Sequence, residues 1–414
     1  MSNIDDIFIS GMGERRKIID DFCRASPMFG VVVRKVKDRY LEDLNGHYLY
    51  DFGTQDYLGI GFDQKQVEAA VDATRKYGTV VAWCRLVATV DLFTKAEDEI
   101  AKLVGTEASS IFASTTLLNH GVIPALMGND GVMFLDKSAH ATMYEGAKIA
   151  RDSGATLVSF PQNDMGALEK LLIEHKEAKK KLIITDGVYS MTGDYADLPS
   201  LDKLAKKYDA MLFVDDAHGF GVVGEKPDDT HPYGFKGNGL VKYFGLDYDN
   251  ILYVGCFSKA YGTFGAFVAC SKTMKEFFLS QATPHDLGGV GPASAMAALL
   301  AGLEINGERG EEKRQRINVL TQKAIKGLKE LGYTVENNTV FPIIYVKMKK
   351  PEHMVETSKI LYDNHILLTL SPYPMVKKGE EGLRVTVTCT NTEEEIDQLI
   401  EAFKIAKAYL ATVE

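Results

Sequence analysis

Short apolar segments alternate with helical patterns along the chain from about residue 64 onward. Strands that alternate with helices at this spacing are typical of a mostly parallel sheet covered on both faces. The sequence therefore predicts an α/β fold, with ligands expected at the carboxyl ends of the strands. The predicted strands are residues 110–113, 132–135, 156–160, 181–185, 211–214, 251–254 and 266–269.

Two other patterns flank this region. Residues 31–52 predict a β-hairpin, because two alternating segments are joined by Asn45-Gly46, a strong turn signal. After Pro292, helical patterns at 293–305 and 311–331 lead into a mixed strand and helix pattern, including a strand at 366–370, which suits a separate C-terminal unit. We expect an N-terminal segment with the hairpin (1–58), a large cofactor-binding domain (59–300) and a small C-terminal domain (301–414).

Polar residues follow two of the predicted strands. Asp215 and His218 come directly after the strand at 211–214, and Lys259 lies on a Ser/Gly-rich turn after the strand at 251–254. A lysine there suits a Schiff base with pyridoxal phosphate, while Asp215 would keep the pyridine nitrogen protonated and His218 could reach the phenolic oxygen. Each motif is common by itself, but their order and strand context favour this cofactor.

Composition excludes several functional classes. The chain has 414 residues, 45% of them hydrophobic, so it can bury a large core, and its formal charge of -10 argues against a nucleic-acid-binding surface. Five cysteines lie far apart without a Cys-x-x-Cys pair, so neither a metal site nor a disulfide framework is indicated. The N-terminus lacks a secretory pattern, and no apolar stretch is long enough to span a bilayer. We expect a cytoplasmic protein.

Six segments in order resemble the α-oxoamine synthases, a family of fold-type I pyridoxal-phosphate enzymes. This family includes 8-amino-7-oxononanoate synthase, 2-amino-3-ketobutyrate CoA ligase, 5-aminolevulinate synthase and serine palmitoyltransferase. The resemblance runs from about Tyr48 to Leu410. Its segments are residues 55–59, 138–141, 186–194, 214–219, 257–259 and 383–385.

The resemblance implies a role for each residue around the cofactor ring. Lys259 would form the Schiff base and later act as the proton-transfer base. Asp215 would pair with the pyridinium, and His218 and Ser190 would donate to the phenolic oxygen. His140 would stack on one ring face while Ala217 packs on the other. As a lone residue, His140 would more often be an ordinary packed histidine, but its Ser-Ala-His-Ala setting favours the role at the cofactor.

The phosphate and the substrate carboxylate have their own candidate residues. In the family, backbone amides of a turn that opens a helix hold the phosphate, which points here to Thr115 and Thr116. Cys256 stands where the family usually has a threonine, and Ser258 could compensate. Arg384 matches the arginine that holds the amino-acid carboxylate, the alternative being a surface salt bridge.

The resemblance implies an acyltransferase that condenses an amino acid with an acyl thioester, carried by coenzyme A or acyl carrier protein, to give an α-amino ketone, usually with decarboxylation. A homodimer is expected, since the family places the site at a dimer interface. Three alternatives stay open. They are an enzyme similar to the autoinducer synthases, an aminotransferase or lyase on the same fold, and a catalytically silent partner subunit.

Two segments depart from the family pattern. Residues 80–83 are Val-Val-Ala-Trp where relatives are largely glycine, and 288–292 are Gly-Gly-Val-Gly-Pro where relatives are rich in Ser and Thr. Bulky side chains at 80–83 are expected to narrow the space for the acyl donor. Trp83 is the largest of them, and a core aromatic is the other interpretation of this residue.

Overall fold

The computed structural model describes residues 24–37, 40–373 and 375–413. Cys23 and the N-terminal residues considered for a secretory pattern lie outside them. The chain divides into two compact units. The large unit comprises Asp56–Ser190 and Asp194–Gln315. The small unit comprises the remaining described residues, namely those up to 55, Met191–Gly193 and those from 316 onward. The three domains expected from the sequence, with boundaries at residues 58 and 300, stay a prediction.

The large unit contains a seven-stranded sheet in the order β4-β10-β9-β8-β7-β5-β6. β10 runs antiparallel to β4 and β9, and the other pairs are parallel, which confirms the predicted mostly parallel sheet. The strands are β4 Ala108–Phe112, β5 Val132–Asp136, β6 Thr156–Phe160, β7 Lys181–Asp186, β8 Met211–Asp215, β9 Ile251–Cys256 and β10 Ala266–Cys270. All seven predicted strands are present within one or two residues of their expected bounds.

Helices connect these strands. They are α1 Gln64–Tyr77, α2 Asp91–Val104, α3 Thr115–Met127, α4 Ala141–Asp152, α5 Met165–Glu174, α6 Leu198–Lys207, α7 Leu240–Tyr243, α8 Lys272–Gln281, α9 Thr283–Leu287 and α10 Ala293–Glu330. β5, β7 and β9 are buried along their whole length, as expected for strands covered on both faces. Ser114 caps α3 by accepting a hydrogen bond from the Leu117 N–H, a common way to start a helix.

The small unit holds two four-stranded sheets, in the orders β1-β2-β3-β13 and β11-β12-β15-β14. The hairpin is confirmed, since β2 and β3 pair antiparallel around a turn in which Gly46 has a φ of 79°. The elements are β1 Val33–Lys37, β2 Tyr40–Asp43, β3 Tyr48–Asp51, β11 Thr334–Glu336, β12 Ile343–Lys347, α11 Pro351–Asp363, β13 Ile366–Leu367, β14 Thr369–Ser371, β15 Gly382–Thr386 and α12 Glu393–Val413.

The single strand predicted at 366–370 is wrong, because the chain changes sheets at Leu368. β13 pairs parallel with β3 in the first sheet, whereas β14 pairs antiparallel with β15 in the second. A continuous apolar run does not reveal such a change, because both strands are buried against apolar neighbours.

The helix break predicted between residues 305 and 311 is also wrong, because α10 runs without interruption. Asn306, Gly310 and Arg314 lie four residues apart on one face of α10. Asn306 Nδ2 donates to Lys236 O (3.0 Å), and Arg314 Nη1 donates to Asn306 Oδ1 (2.8 Å) and Gly221 O (2.9 Å). These tertiary contacts outweigh the weak helix propensity of Asn and Gly. Among the residues described, none of the helices combines the length and apolar character needed to cross a bilayer.

The two glycines of this stretch should respond oppositely to alanine. A Cβ on Gly307 would meet nothing within 4 Å, whereas one on Gly310 would lie 2.4 Å from Asn306 Oδ1. We expect Gly307→Ala to raise the free energy of unfolding by about 0.5–1 kcal/mol, since alanine loses less backbone entropy in a helix. Gly310→Ala should lower it. Urea denaturation of both variants checks this, and stabilisation by both would show that Asn306 and Arg314 can shift.

Candidate active site

The carboxyl ends of three adjacent parallel strands form the centre of the candidate site. Asp186 ends β7, Asp215 ends β8, and Lys259 follows β9 by three residues. Asp186 pairs in register with Asp215, which pairs in turn with Val254 on β9. The register therefore brings Asp215 and the turn carrying Lys259 to the same edge of the sheet, as the sequence predicts.

The Lys259 amine lies in a part-buried position without a carboxylate partner. Its Nζ is 3.6 Å from Cys256 Sγ, and no ion pair to Lys259 is found in the part of the chain that the structure describes. The Cys256 thiol itself donates to Ala217 O (3.3 Å), and Ser258 Oγ lies 3.6 Å from the same sulfur. The amine is thus close enough to His140 and Asp186 to interact with them electrostatically, but it forms no salt bridge among the described residues.

Asp215 is buried and is held by two donors. Its Oδ2 accepts from Asn119 Nδ2 on α3 (3.0 Å), and its Oδ1 accepts from the Ala217 N–H (3.2 Å). The first bond ties the end of β8 to α3, and the second shapes the turn that leads to His218. One side chain thereby fixes two elements around the site.

His140 caps the N-terminus of α4, next to these strand ends. Its Nδ1 lies 2.9 Å from Thr142 Oγ1, and its backbone N–H donates to Asp186 Oδ1 (3.3 Å). Loss of hydration within the site lowers the pKa of His140, Asp215 opposes this effect, and Lys259 adds to it. His140, Asp215 and Lys259 are therefore close enough to interact electrostatically.

Asp186 is a second buried carboxyl group at this edge. Burial raises the pKa of Asp186 well above its usual range, and the neighbouring charge of Asp215 adds to the rise. Its Oδ2 is buried and makes no hydrogen bond within the described residues. Two adjacent buried carboxylates repel each other, and this repulsion favours the protonated form of Asp186.

The other predicted residues of the large unit lie on loops and helix ends. His218 is buried, and its Nδ1 is 2.8 Å from the Tyr57 hydroxyl. Ser190 is partly buried in the loop after β7. Thr115 and Thr116 form the first turn of α3, where backbone N–H groups have no intrahelical partner. Ser258 is exposed on the turn before Lys259.

Arg384 lies in the small unit, in the middle of β15, and its role stays a prediction. It pairs in register with Tyr345 on β12 and Thr369 on β14. Arg384 is only 9% exposed, which excludes the alternative that it forms a salt bridge on the surface. Trp83 is 45% exposed, which excludes the core-aromatic interpretation within this chain.

Sequence reasoning missed three polar residues that contact the predicted ones. Asn119 binds Asp215, Thr142 binds His140, and Tyr57 binds His218. Tyr57 and Thr142 lie inside or next to segments that carry the family resemblance. Their position could therefore have identified them as site residues. Asn119 is four residues beyond Thr115 on α3, and its part in the site depends on helix packing.

The altered run at 80–85 keeps one backbone feature that suits glycine. Ala82 has a φ of 55°, in the left-handed region that L side chains rarely adopt. At the end of the run, Arg85 forms an ion pair with the buried Glu97, and its N–H donates to His285 O (3.1 Å). Arg85 therefore anchors the run, while Trp83 and Val80 remain exposed.

Asp216, next to Asp215, gives a testable pH dependence. Burial raises its pKa to about 7 in the folded chain, although Leu240 N–H and the Tyr253 hydroxyl donate to its Oδ2. Between about pH 4 and pH 7 the folded state therefore holds a proton that the unfolded chain has released, so this group's contribution to stability falls as pH rises. We expect Asp216→Asn to flatten the decrease in urea midpoint between about pH 5 and pH 8.

The control is Asp228→Asn. Hydrogen bonds from Thr230 and His231 lower the pKa of Asp228 to about 2, so its contribution is complete above about pH 4 and constant over the range tested. This variant should keep the pH slope of the wild type. Equal slopes in all three proteins would contradict the assignment to Asp216.

Comparison with known proteins gives one consistent family. The model of the family described as aminotransferase class I and II matches residues 50–403. The 8-amino-7-oxononanoate synthase of Geobacter sulfurreducens is 35% identical over 352 residues, covering 84% of this chain and 86% of that protein. A serine palmitoyltransferase of Bacteroides ovatus is 31% identical over 373 residues, covering 89% and 90%.

A solved structure agrees with these relatives. The serine palmitoyltransferase of S. paucimobilis, determined with pyridoxal phosphate and myriocin bound, superposes with a TM-score of 0.89 at 26% identity and covers 99% of this chain and 100% of its own. The chain therefore belongs to the aminotransferase class I and II family and, within it, to the α-oxoamine synthases.

Proposed function

We propose that this protein is a pyridoxal-phosphate-dependent acyltransferase that condenses an amino acid with an acyl thioester to give an α-amino ketone, usually with loss of CO2. The observation that carries the proposal is the placement of Lys259 and Asp215 at adjacent strand ends with His140 beside them. Its relatives named 8-amino-7-oxononanoate synthase and serine palmitoyltransferase support this class of reaction.

The residues present fit the cofactor. The Lys259 amine has only a thiol as hydrogen-bond partner among the described residues, so it can form a covalent bond without first breaking a salt bridge. Asp215 is a buried carboxyl group suited to a pyridinium, and the first-turn amides of α3 at Thr115 and Thr116 suit a phosphate. Bound there, pyridoxal phosphate supplies an electron sink for the bond broken at the amino-acid Cα.

Each side chain then has a defined task. Asp215 holds a proton on the ring nitrogen, and His218 and Ser190 donate to the phenolic oxygen. Lys259 Nζ would take the proton from the amino-acid Cα. This carbon would then attack the thioester carbonyl carbon, and the C–S bond would break to release the thiol of the acyl carrier. Arg384 is the proposed partner of the substrate carboxylate, where a planar guanidinium can make two parallel hydrogen bonds.

Lys259→Ala tests the assignment directly. We expect a folded protein that binds pyridoxal phosphate reversibly and makes no product, because the nucleophilic amine is gone. Borohydride treatment followed by mass spectrometry should leave the cofactor attached to the wild type and to the control Lys242→Ala, but not to Lys259→Ala. Turnover by Lys259→Ala at the wild-type rate would refute the proposal, and a wild type without turnover on any amino acid and acyl thioester would favour a silent partner subunit.

We further propose that residues 80–83 select the acyl donor. Trp83 and Val80 are exposed, and Arg85 anchors the run independently of them. A methylene-sized difference is worth only about 1–3 kcal/mol, so strong selection requires a side chain as large as Trp83.

Trp83→Gly should therefore change the preferred acyl length while leaving cofactor binding and amino-acid KM nearly unchanged. Activity profiles with acyl thioesters of increasing length check this. Ile173→Ala, which truncates another exposed apolar side chain, on α5, is the control. An unchanged profile would move acyl selection to another segment.

A homodimer is the proposed assembly. The loop at 80–87 and the short helix α9 are joined by the bond from Arg85 N–H to His285 O. Both carry exposed apolar side chains, including Val87 (72% exposed) and Leu287 (79% exposed). Exposed apolar surface of this kind marks interfaces. We also propose a cytoplasmic location, since no disulfide joins the four cysteines that the structure describes.

Light scattering should give about twice the chain mass of 45.7 kDa. Leu287→Glu should weaken the dimer, since it would bury a charge in the interface, whereas Ile173→Glu should not. A monomeric wild type with full activity would contradict the proposed assembly.

A further inference from the structure

A chain of hydrogen bonds connects His140 to Asp215 through two residues with no assigned role. Asn119 Nδ2 on α3 lies 3.0 Å from Asp215 Oδ2 and 3.0 Å from Thr142 Oγ1 on α4. Thr142 Oγ1 lies in turn 2.9 Å from His140 Nδ1. The four side chains therefore form one continuous polar path.

The path has a direction because an amide nitrogen can only donate. Asn119 uses one hydrogen for the Asp215 carboxylate and the other for Thr142 Oγ1. The Thr142 hydroxyl has a single hydrogen, which is left to donate to His140 Nδ1. The Thr142 backbone N–H also points to this atom, at 3.4 Å. Both donors favour an unprotonated Nδ1, with the ring proton on Nε2.

The surroundings of the His140 ring also affect its protonation. The ring stands at the N-terminus of α4, where the helix dipole disfavours a positive charge. Loss of hydration and Lys259 lower the pKa of His140, while Asp215 and Glu145 oppose this. Asp186, the remaining titratable neighbour, accepts a hydrogen bond from the backbone N–H of His140 and none from its ring. A neutral imidazole is the form that suits these surroundings.

Close packing of α3 and α4 fixes the path. A Cβ on Gly146 would lie only 2.3 Å from Asn119 O, so a glycine at this position lets the helices approach. Asn119 Oδ1 is buried without a hydrogen-bond partner in the described chain. An unmade bond of this kind is unfavourable, so the amide orientation is kept by its two donor contacts.

We propose that Asn119 and Thr142 are positioning residues that hold His140 as a neutral imidazole protonated on Nε2 and tie its ring to Asp215. The inference rests on the proposed function in one respect, since it is there that His140 and Asp215 face the cofactor. The exposed Nε2–H is then a fixed hydrogen-bond donor, and a proton arriving at Nδ1 must first break the bond from Thr142.

The test is the tautomer of His140 in the full chain labelled with 15N-histidine, measured by NMR without and with pyridoxal phosphate. His140→Gln identifies the signal. We expect the Nε2–H tautomer in the wild type and a mixture of both tautomers in Thr142→Val, which keeps the side-chain shape and removes the hydroxyl. Thr142→Ser should restore the wild-type tautomer.

Asn119→Leu removes the donor that gives the path its direction. The Thr142 hydroxyl can then accept from Nδ1–H, so this variant should also give a mixture. If Asn119→Leu does not fold, the tautomers measured in Thr142→Val and Thr142→Ser are sufficient to test the inference. A pure Nε2–H signal in Thr142→Val, or a mixture in the wild type, would overturn the inference.

The cofactor-free measurement separates this inference from the proposed function. Suppose that the His140 tautomer changes as expected in the variants, but borohydride attaches no cofactor to Lys259. This result would support the hydrogen-bond path and refute the proposed function. If the cofactor becomes attached but the tautomer is the same in all variants, the proposed function would stand and the role of Asn119 and Thr142 would be refuted.

Discussion

The parallel register of β7, β8 and β9 determines where the charged groups of the site stand. Because Asp186 pairs with Asp215 and Asp215 with Val254, two carboxyl groups and the turn carrying Lys259 meet at one edge of a buried sheet. Burial at this edge raises the pKa of Asp186 and lowers the pKa of His140. The charge of Asp215 adds to the rise at Asp186 and opposes the fall at His140, so one carboxyl group acts on both of its neighbours.

Neighbouring helices, a strand and a turn supply neutral donors to the carboxyl groups at this edge. Asp215 is held by an amide side chain and a backbone N–H, and Asp216 by a backbone N–H and a phenol. A lysine or arginine in these positions would compete with a cationic ligand for Asp215. Neutral donors fix the carboxyl group and leave its charge to act on whatever binds beside it.

The sequence predicted those parts of the molecule that depend on local pattern. Buried parallel strands form continuous apolar runs, so their ends, and with them Asp215 and Lys259, could be located without a structure. The helix break near Asn306 and the single strand at 366–370 were wrong because both depend on tertiary contacts. Asn306 is held by Lys236 and Arg314, which lie far away in the sequence or eight residues along the helix. Asn119 was not predicted for the same reason. Its contact with Asp215 depends on the packing of α3 against α4, which Gly146 permits.

The change of sheets at Leu368 limits how this chain can evolve in length. β13 and β14 are separated by this one residue, and each has a fixed register with a different partner strand. Side chains alternate between the two faces of a strand, so one inserted residue would turn every side chain of β14 to the opposite face. Thr369 would then no longer stand on the face it shares with Arg384. Substitutions can accumulate in this segment, but insertions and deletions of a single residue cannot.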